Sequence, residues 1–338
     1  MTPTRSYTHS PSIAHTSPRE RLKDPSLMPK ENLRELIVGA AAAVATPFDE
    51  NYEVDLGKMY DLTQWWVANG LVKGNGIIKV AAAAGEGPML DDPEWAALLR
   101  TTVQASDGKA TVMCGLHYKD TKRTIRDAQV AQDMGAHALQ VCPPIFNDPS
   151  QDDLLDYYGD LSDAIDIGIM VYHTHWLKGG RIDTDTLLKM SDFENVVAIK
   201  WSPHDGQVYE EMEEFVDRFN IIDNTVNPVR CAKLGGHGFV QTSVEAYPPH
   251  DLKVWELIQA KQWDEAENLY RSVQGPLRKF GEKINHRSGG QGRVMKGILE
   301  ILGEPVGSSR PPSKPLNDEE KRELRGIIEG FGWPIPVR

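Results

Sequence analysis

Residues 195–206 read NVVAIKWSPHDG, and the apolar run that opens this stretch decides the fold class. Four apolar residues, 196–199, follow one another without a polar residue between them. An unbroken apolar run is typical of a parallel strand that helices cover on both faces, because neither face meets water. Lys200 closes the run, although a buried charge costs several kcal/mol unless it is paired or neutralised. The stretch therefore predicts a buried strand with an unusual amine at its end.

Seven more short apolar runs recur along the chain, at residues 36–48, 76–86, 110–117, 137–144, 167–175, 219–224 and 237–243. Between the runs, segments such as DTKRTIRDAQVAQDMGA carry apolar residues three and four apart, which is helical spacing. Eight strands that alternate with helices predict an α/β fold, a (β/α)8 TIM barrel. A doubly wound sheet is the alternative, but no Gly-rich dinucleotide turn follows the first run.

The chain divides into three parts by composition. Residues 1–34 are rich in Ser, Thr, Pro and charge, and we expect a flexible tail there. Residues 35–250 hold the strand–helix alternation of the barrel core. Residues 251–338 show helical spacing alone, which predicts appended C-terminal helices packing on the barrel.

Composition also limits the class of partner. A net charge of −12 and a pI near 5.3 argue against nucleic acid and acidic membranes. The three cysteines have no paired spacing, so neither a disulfide framework nor a zinc ribbon is suggested. No apolar run approaches the ~20 residues of a membrane span, and no secretory signal is visible. We expect a cytoplasmic protein that needs no cofactor, since nucleotide, flavin and nicotinamide motifs are not found.

The residues at the strand ends carry the functional signal, because barrel enzymes build their sites at the C-terminal ends of the strands. The fifth run reaches Tyr172, and the sixth ends in Lys200 and Trp201. Ala198 and Lys200 share one strand face, and a small residue suits the crowded interior, so Lys200 is predicted to point into the barrel. Desolvation there lowers a lysine pKa and makes the amine nucleophilic. The alternative is a lysine that reaches solvent or pairs with a carboxylate.

Several motifs occur in the order of a known family. ATPF lies near the start, GE after the second strand and FNDPSQDDLLDYY after the fourth, and MVY, VVAIKWS and LGGHGFVQT follow. From about residue 36 to its end, the chain resembles the dihydrodipicolinate synthase / N-acetylneuraminate lyase superfamily of class I pyruvate-type aldolases. The resemblance implies that Lys200 forms a Schiff base with a 2-oxo acid and that Tyr172 shuttles protons. It also implies a homodimer or homotetramer.

The chain departs from the family pattern at several positions. Ala83 and Ala84 replace two hydroxyl residues, Phe146 replaces a second tyrosine, and His173 stands where Asn is frequent. Without hydroxyl groups, backbone N–H groups of Ala83, Ala84 and Gly85 are expected to hold the substrate carboxylate. The arginine that binds a second carboxylate in the lysine-biosynthesis enzymes has no clear match in HTHWLKGG. Dihydrodipicolinate synthesis is therefore disfavoured.

The substituted positions are apolar, aromatic or imidazole-bearing, which suits an apolar or aromatic aldehyde better than a sugar. This pattern resembles the hydratase-aldolases, which split arylidene-pyruvates into pyruvate and an aromatic aldehyde. The sequence thus predicts a Schiff-base lyase that acts on pyruvate or a substituted pyruvate. Besides the catalytic pair and the loop alanines and glycine, the predicted pocket residues are Phe146, His173, His175, Trp176, Trp201 and Val240.

Three other functions stay open at this stage. A dehydratase or hydratase would use the same imine chemistry on a 2-oxo acid. A metal-dependent barrel hydrolase would use His173 and His175 as ligands, although strict alternation turns both away from an inward Tyr172. A catalytically silent relative would bind a 2-oxo acid without turnover. His173, His175 or His204 is a candidate acid or base, because histidine titrates near neutral pH.

Overall fold

The computed structural model describes residues 29–174 and 176–336. Within them, eight parallel strands close into a barrel in chain order, and the last strand pairs with the first. The strands are β1 (Gly39–Ala43), β2 (Gly76–Val80), β3 (Thr111–Leu116), β4 (Ala138–Val141), β5 (Gly168–Tyr172), β6 (Val196–Trp201), β7 (Asn220–Asp223) and β8 (Gly238–Gln241). Each strand lies inside one of the predicted apolar runs, so the (β/α)8 prediction is confirmed.

The helices surround the barrel and continue beyond it. Before β5 they are α1 (Lys30–Glu35), α2 (Leu56–Ala68), α3 (Asp92–Ser106), α4 (Thr121–Asp133) and α5 (Gln151–Ala164). Later come α6 (Thr184–Met190), α7 (Pro228–Lys233), α8 (Ser243–Ala246), α9 (Pro248–Gln259), α10 (Trp263–Ile284), α11 (Gly292–Ile301) and α12 (Asp318–Gly330). Side-chain caps fix where helices begin. Before α3, the Asp91 side chain accepts a hydrogen bond from the Glu94 N–H, and the Glu94 side chain accepts one from the Asp91 N–H. A 3-10 helix, Tyr209–Glu214, follows β6.

The barrel interior is packed in layers. Its lower part holds alternate residues of the strands, which touch one another as a buried apolar cluster: Ala41, Ile77, Met113, Ala138, Met170, Ala198 and Ile222. Two residues further along β2, β4 and β6, the same face carries Lys79, Gln140 and Lys200. The prediction that Ala198 and Lys200 share the interior face is confirmed. The interior thus changes from apolar to polar toward the C-terminal ends of the strands.

Helix α1 packs at the base of the barrel, inside the segment predicted to be a tail. Leu33 is buried in the interior cluster. The Lys30 ammonium donates hydrogen bonds to the carbonyl oxygens of Ser191 and Phe193, at 2.9 Å and 3.0 Å. We therefore propose that the tail ends before Lys30, because an apolar side chain and a hydrogen-bonded ammonium fix this helix to the barrel. The rest of the predicted tail, residues 1–28, lies outside the described residues.

The C-terminal helices have a core of their own. Residues of α10, α11 and α12, among them Phe280, Ile298 and Leu324, form a second buried apolar cluster. The predicted division after residue 250 falls inside α9, whose residues contact β1. We therefore propose that the appended region begins at α10. In residues 29–174 and 176–336, every helix is too short or too polar to cross a membrane.

Trp201 packs outside the barrel wall, where it stabilises the fold. Its indole N–H donates to the Tyr209 carbonyl oxygen at 3.1 Å, and its ring meets Phe215 edge-on at 5.3 Å. We expect Trp201→Ala to lower the free energy of unfolding by about 3–5 kcal/mol, because a large buried ring leaves a cavity. Urea unfolding measures this as a lower midpoint at an unchanged slope. In the exposed control Val208→Ala, the change should stay within about 0.5 kcal/mol; an equal loss in both variants would contradict the assignment.

Candidate active site

A cavity of about 470 Å³ opens at the C-terminal ends of the strands. Side chains from the strands form its floor, and the loops that follow them form its walls. The lining residues are Ala43, Lys79, Ala82, Ala83, Ala84, Tyr118, Gln140, Tyr172, Trp176, Lys200, Asn224, Val226, Val240, Gln241, Thr242 and Gln291. The cavity lies at the end of the barrel where this fold builds catalytic sites.

Lys200 projects into this cavity from β6. Its Cα is paired with Tyr172 on β5 and with Ile222 on β7, and the residue is 6% exposed. Burial lowers the pKa of the amine to about 7, and no carboxylate of the described residues acts on it. The alternative of a solvent-reaching or carboxylate-paired lysine therefore does not hold. The lowered pKa makes the neutral amine far more abundant at neutral pH than it is in an ordinary lysine.

Tyr172 forms the wall beneath the amine. The Lys200 nitrogen lies 3.7 Å from the centre of the Tyr172 ring, and Trp176 meets that ring edge-on at 5.4 Å. Tyr172 is buried, and burial raises the pKa of its phenol above the ordinary value. The phenol consequently stays protonated across the neutral range and is able to donate a proton beside the amine.

The loop after β2 presents backbone and methyl groups to the cavity. Ala83 and Ala84 line it, and the described residues offer no hydrogen-bond acceptor to the N–H of Ala84 or Gly85. Gly85 itself is packed against β1, because a Cβ there would lie only 2.0 Å from the Val44 carbonyl oxygen. Two free N–H groups on one loop are suited to an anion.

Three predicted pocket residues, His173, Trp201 and Phe146, lie elsewhere. His173 is fully buried and stacks on Trp201 at 5.5 Å, so both rings lie on the outer side of the barrel wall. Alternation explains the difference, since residues that flank an inward side chain point outward. Phe146 is 94% exposed and does not line the cavity, because its loop carries it out to solvent. His175 lies outside the described residues.

Of the remaining predicted residues, Gly85 does not line the cavity. Val240 and Trp176 both line the cavity, and Trp176 is 51% exposed at its rim. Within the described residues, no group of three or more His, Cys, Asp or Glu side chains is arranged to hold a metal. His204 is bonded locally, with its Nδ1 2.7 Å from the Asp205 carbonyl oxygen, and it does not line the cavity.

Sequence reasoning missed the polar residues Lys79, Gln140 and Tyr118. Lys79 shares strand parity with the inward Ile77, so alternation within GIIKV was an available signal. Tyr118 follows β3 in a left-handed backbone conformation, with φ of 57°, that strand periodicity does not predict. Its phenol has a pKa raised to about 12, chiefly by burial. The cavity therefore contains two phenols and two amines.

Comparisons with known proteins agree with this architecture. The model of the dihydrodipicolinate synthetase family matches residues 37–330. The 4-hydroxy-tetrahydrodipicolinate synthase 1 of Halalkalibacterium halodurans is 27% identical over 290 residues, which cover 85% of this chain and 94% of the relative. A 4-hydroxy-tetrahydrodipicolinate synthase of Chlorobium phaeobacteroides is 29% identical over 303 residues, which cover 88% and 98%.

Solved structures share the fold. The dihydrodipicolinate synthase from Aquifex aeolicus superposes with a TM-score of 0.78 at 22% identity, covering 89% of this chain and 100% of that one. A prophage protein of the dihydrodipicolinic acid synthase family from E. coli K12, solved in complex with pyruvate, gives 0.77 at 20% identity over 88% and 99%. Because the family model spans most of the sequence, the chain belongs to the dihydrodipicolinate synthetase family and is a class I lyase of the lysine Schiff-base type.

Proposed function

We propose that Lys200 forms an imine with pyruvate or a substituted pyruvate, and that the enzyme makes or breaks a carbon–carbon bond to an apolar or aromatic aldehyde. One observation carries the proposal. The Lys200 amine is buried in a cavity, with its pKa lowered to about 7 and its nitrogen 3.7 Å from the Tyr172 ring centre. A nucleophilic amine next to a protonated phenol is the pair that imine chemistry requires.

The first half of the reaction joins the ketone to the enzyme. The neutral Lys200 amine attacks the carbonyl carbon of the 2-oxo acid and forms a carbinolamine. Tyr172 donates its proton to the leaving hydroxyl, water departs, and a protonated imine remains. The backbone N–H of Ala84 holds the carboxylate, since Ala84 lines the cavity and its N–H has no acceptor among the described residues.

The second half uses the imine as an electron sink. In the cleavage direction, the substrate hydroxyl gives its proton to the Tyr172 phenolate that the first half left, and the carbon–carbon bond breaks. The electron pair of that bond moves into the imine, which leaves an enamine and a free aldehyde. Protonation of the enamine carbon and addition of water then release pyruvate. The aldehyde would lie against Trp176, Val226 and Val240, which line the cavity with apolar surface. Addition follows the reverse path.

Borohydride reduction tests the first step. The protein is incubated with pyruvate and sodium borohydride, digested, and mapped by mass spectrometry. We expect one reduced pyruvate adduct, on the peptide that contains Lys200, and none when borohydride is added without pyruvate. An adduct on another lysine, or no adduct at all, would contradict the proposal.

An aldehyde screen tests the second substrate. Pyruvate is combined with matched aromatic and sugar-derived aldehydes, and product formation is followed by chromatography. We expect kcat/KM to favour the aromatic aldehydes, because the described walls offer apolar contacts to a ring. A preference for sugars would refute the apolar pocket and leave the imine chemistry untouched.

The pH dependence of adduct formation follows from the lowered lysine pKa. Only the neutral amine attacks, so the rate should rise about tenfold per pH unit in acid and level off above pH ~7. The titratable groups around this amine include Lys79, His117, Cys142, Tyr118 and Tyr172. Stopped-flow trapping at saturating borohydride measures the profile. A rate that still climbs beyond about pH 9 would indicate an ordinary, solvated lysine.

Assembly and location remain part of the proposal. We propose a homodimer or homotetramer, and the 94% exposure of Phe146 supports it, because subunit contacts commonly cover large aromatic side chains. Light scattering on the purified protein measures the mass. Location in the cytoplasm remains a prediction from the sequence, to be tested by cell fractionation.

A further inference from the structure

A second buried lysine lies in the cavity, across the barrel from the first. Lys79 on β2 is 0% exposed and lines the same cavity as Lys200 on β6. Its ammonium donates one hydrogen bond, to the Gln140 side-chain oxygen on β4, at 2.9 Å. Strands β2, β4 and β6 are alternate strands, which supply the side chains of one layer in a barrel of this kind. Gln140 therefore fixes the direction in which Lys79 points.

The surroundings of Lys79 contain hydrogen-bond donors but no anion. The only partner that the described residues give its ammonium is Gln140, and the Gln140 amide nitrogen has no acceptor within them. Burial, and secondly the charge of Lys200, hold the pKa of Lys79 well below its usual range. Buried cations are ordinarily paired, because an isolated charge in a protein interior is costly. The floor of the cavity is thus suited to a negative group, which the described residues do not supply.

The loop that follows β2, the strand that carries Lys79, also presents hydrogen-bond donors to the cavity. Ala83 and Ala84 bring no hydroxyl group, so donors on this side come from the backbone. The carboxylate of a 2-oxo acid is bonded directly to the carbon that an amine attacks. A cation that binds this carboxylate must therefore line the same cavity as the reacting amine, as Lys79 does with Lys200.

We propose that Lys79, positioned by Gln140, binds the carboxylate of the 2-oxo acid. It thereby replaces the hydroxyl side chains that would otherwise bind this carboxylate. The inference rests on the proposed function and assigns a specificity residue to that site. The bound carboxylate supplies the opposite charge that Lys79 lacks, and this favours the protonated amine on Lys79 while Lys200 remains the nucleophile. Specificity for acids over neutral ketones then depends on the Lys79 side chain together with the backbone N–H of Ala84.

Two ketones and one variant test the assignment. Lys79→Met keeps the unbranched side chain up to the position of Cε and removes the charged nitrogen. Borohydride trapping rates are measured with pyruvate and with its neutral methyl ester. We expect the variant to trap pyruvate about 10- to 100-fold more slowly than the wild type, because a charge-assisted hydrogen bond is lost. Trapping of the ester should stay unchanged.

A second variant and a control separate binding from damage. Gln140→Glu retains the side-chain size and places a carboxylate beside Lys79, so it should also slow the trapping of pyruvate and spare the ester. Ile77→Met, on the same strand face below the cavity, should leave both rates intact. Equal losses with both ketones, or no loss with pyruvate in Lys79→Met, would overturn the inference. Failure of the wild type to form an adduct on Lys200 would instead refute the proposed function.

Discussion

Replacing Lys200 with alanine will abolish turnover and the pyruvate adduct, with kcat falling by at least about three orders of magnitude. The reason is covalent: no other described residue places an amine against the Tyr172 ring, where Lys200 lies at 3.7 Å. Burial also lowers the pKa of the Lys200 amine to about 7, which makes it nucleophilic near neutral pH. Steady-state kinetics and mass mapping of the reduced adduct measure both losses together.

The control for this variant is an exposed lysine. Lys109 has a side chain that is 62% exposed and pairs with Asp107, far from the barrel interior. Lys109→Ala should retain both turnover and the adduct. If Lys200→Ala kept its activity, or if Lys79 carried the adduct in its place, the imine assignment would be wrong.

Replacing Tyr172 with phenylalanine will lower kcat by about 10²- to 10⁴-fold, which is the usual contribution of a positioned acid or base. The ring that supports the Lys200 amine remains in this variant, whereas the phenolic proton is lost. The adduct on Lys200 should therefore still form during long incubation. Comparing kcat with the final yield of adduct separates proton transfer from imine formation.

A buried phenol outside the cavity provides the matched control. Tyr158 donates its hydroxyl to the Val141 carbonyl oxygen at 2.9 Å and does not line the cavity. Tyr158→Phe should cost about 1 kcal/mol of stability and leave kcat in place. If Tyr172→Phe turned over normally and Tyr118→Phe did not, the acid would have to be reassigned to Tyr118, the other phenol of the cavity.

The strands were predictable because a strand that is buried on both faces appears in the sequence as an unbroken apolar run. Residues 196–199 are apolar throughout, as a strand between a packed interior and a layer of helices requires. Alternation then oriented Lys200 inward with Ala198, and the structure agrees with this prediction. The same rule turns His173 away from Tyr172, and the prediction of His173 as a pocket residue, which went against that rule, was wrong.

The rest of the site depends on loops and on neighbours that are distant in sequence. Phe146 was expected in the pocket, but the path of its loop, which periodicity does not encode, leaves it exposed. Tyr118 enters the cavity through a left-handed turn. Lys79 interrupts an apolar run and meets Gln140, 61 positions away, only once the barrel is closed. Residues brought together by closure cannot be paired from one sequence.

Helix α1 gives the barrel two unlike ends. Leu33 and Ile37 occupy the apolar base of the interior, and Arg34 donates to the Asn220 side-chain oxygen at 3.0 Å beside them. These residues close the base of the barrel, so the interior is open at one end only. Substrate, protons and water therefore reach Lys79 and Lys200 only from the open end, at the C-terminal ends of the strands. Any group that covers this opening controls access to both amines.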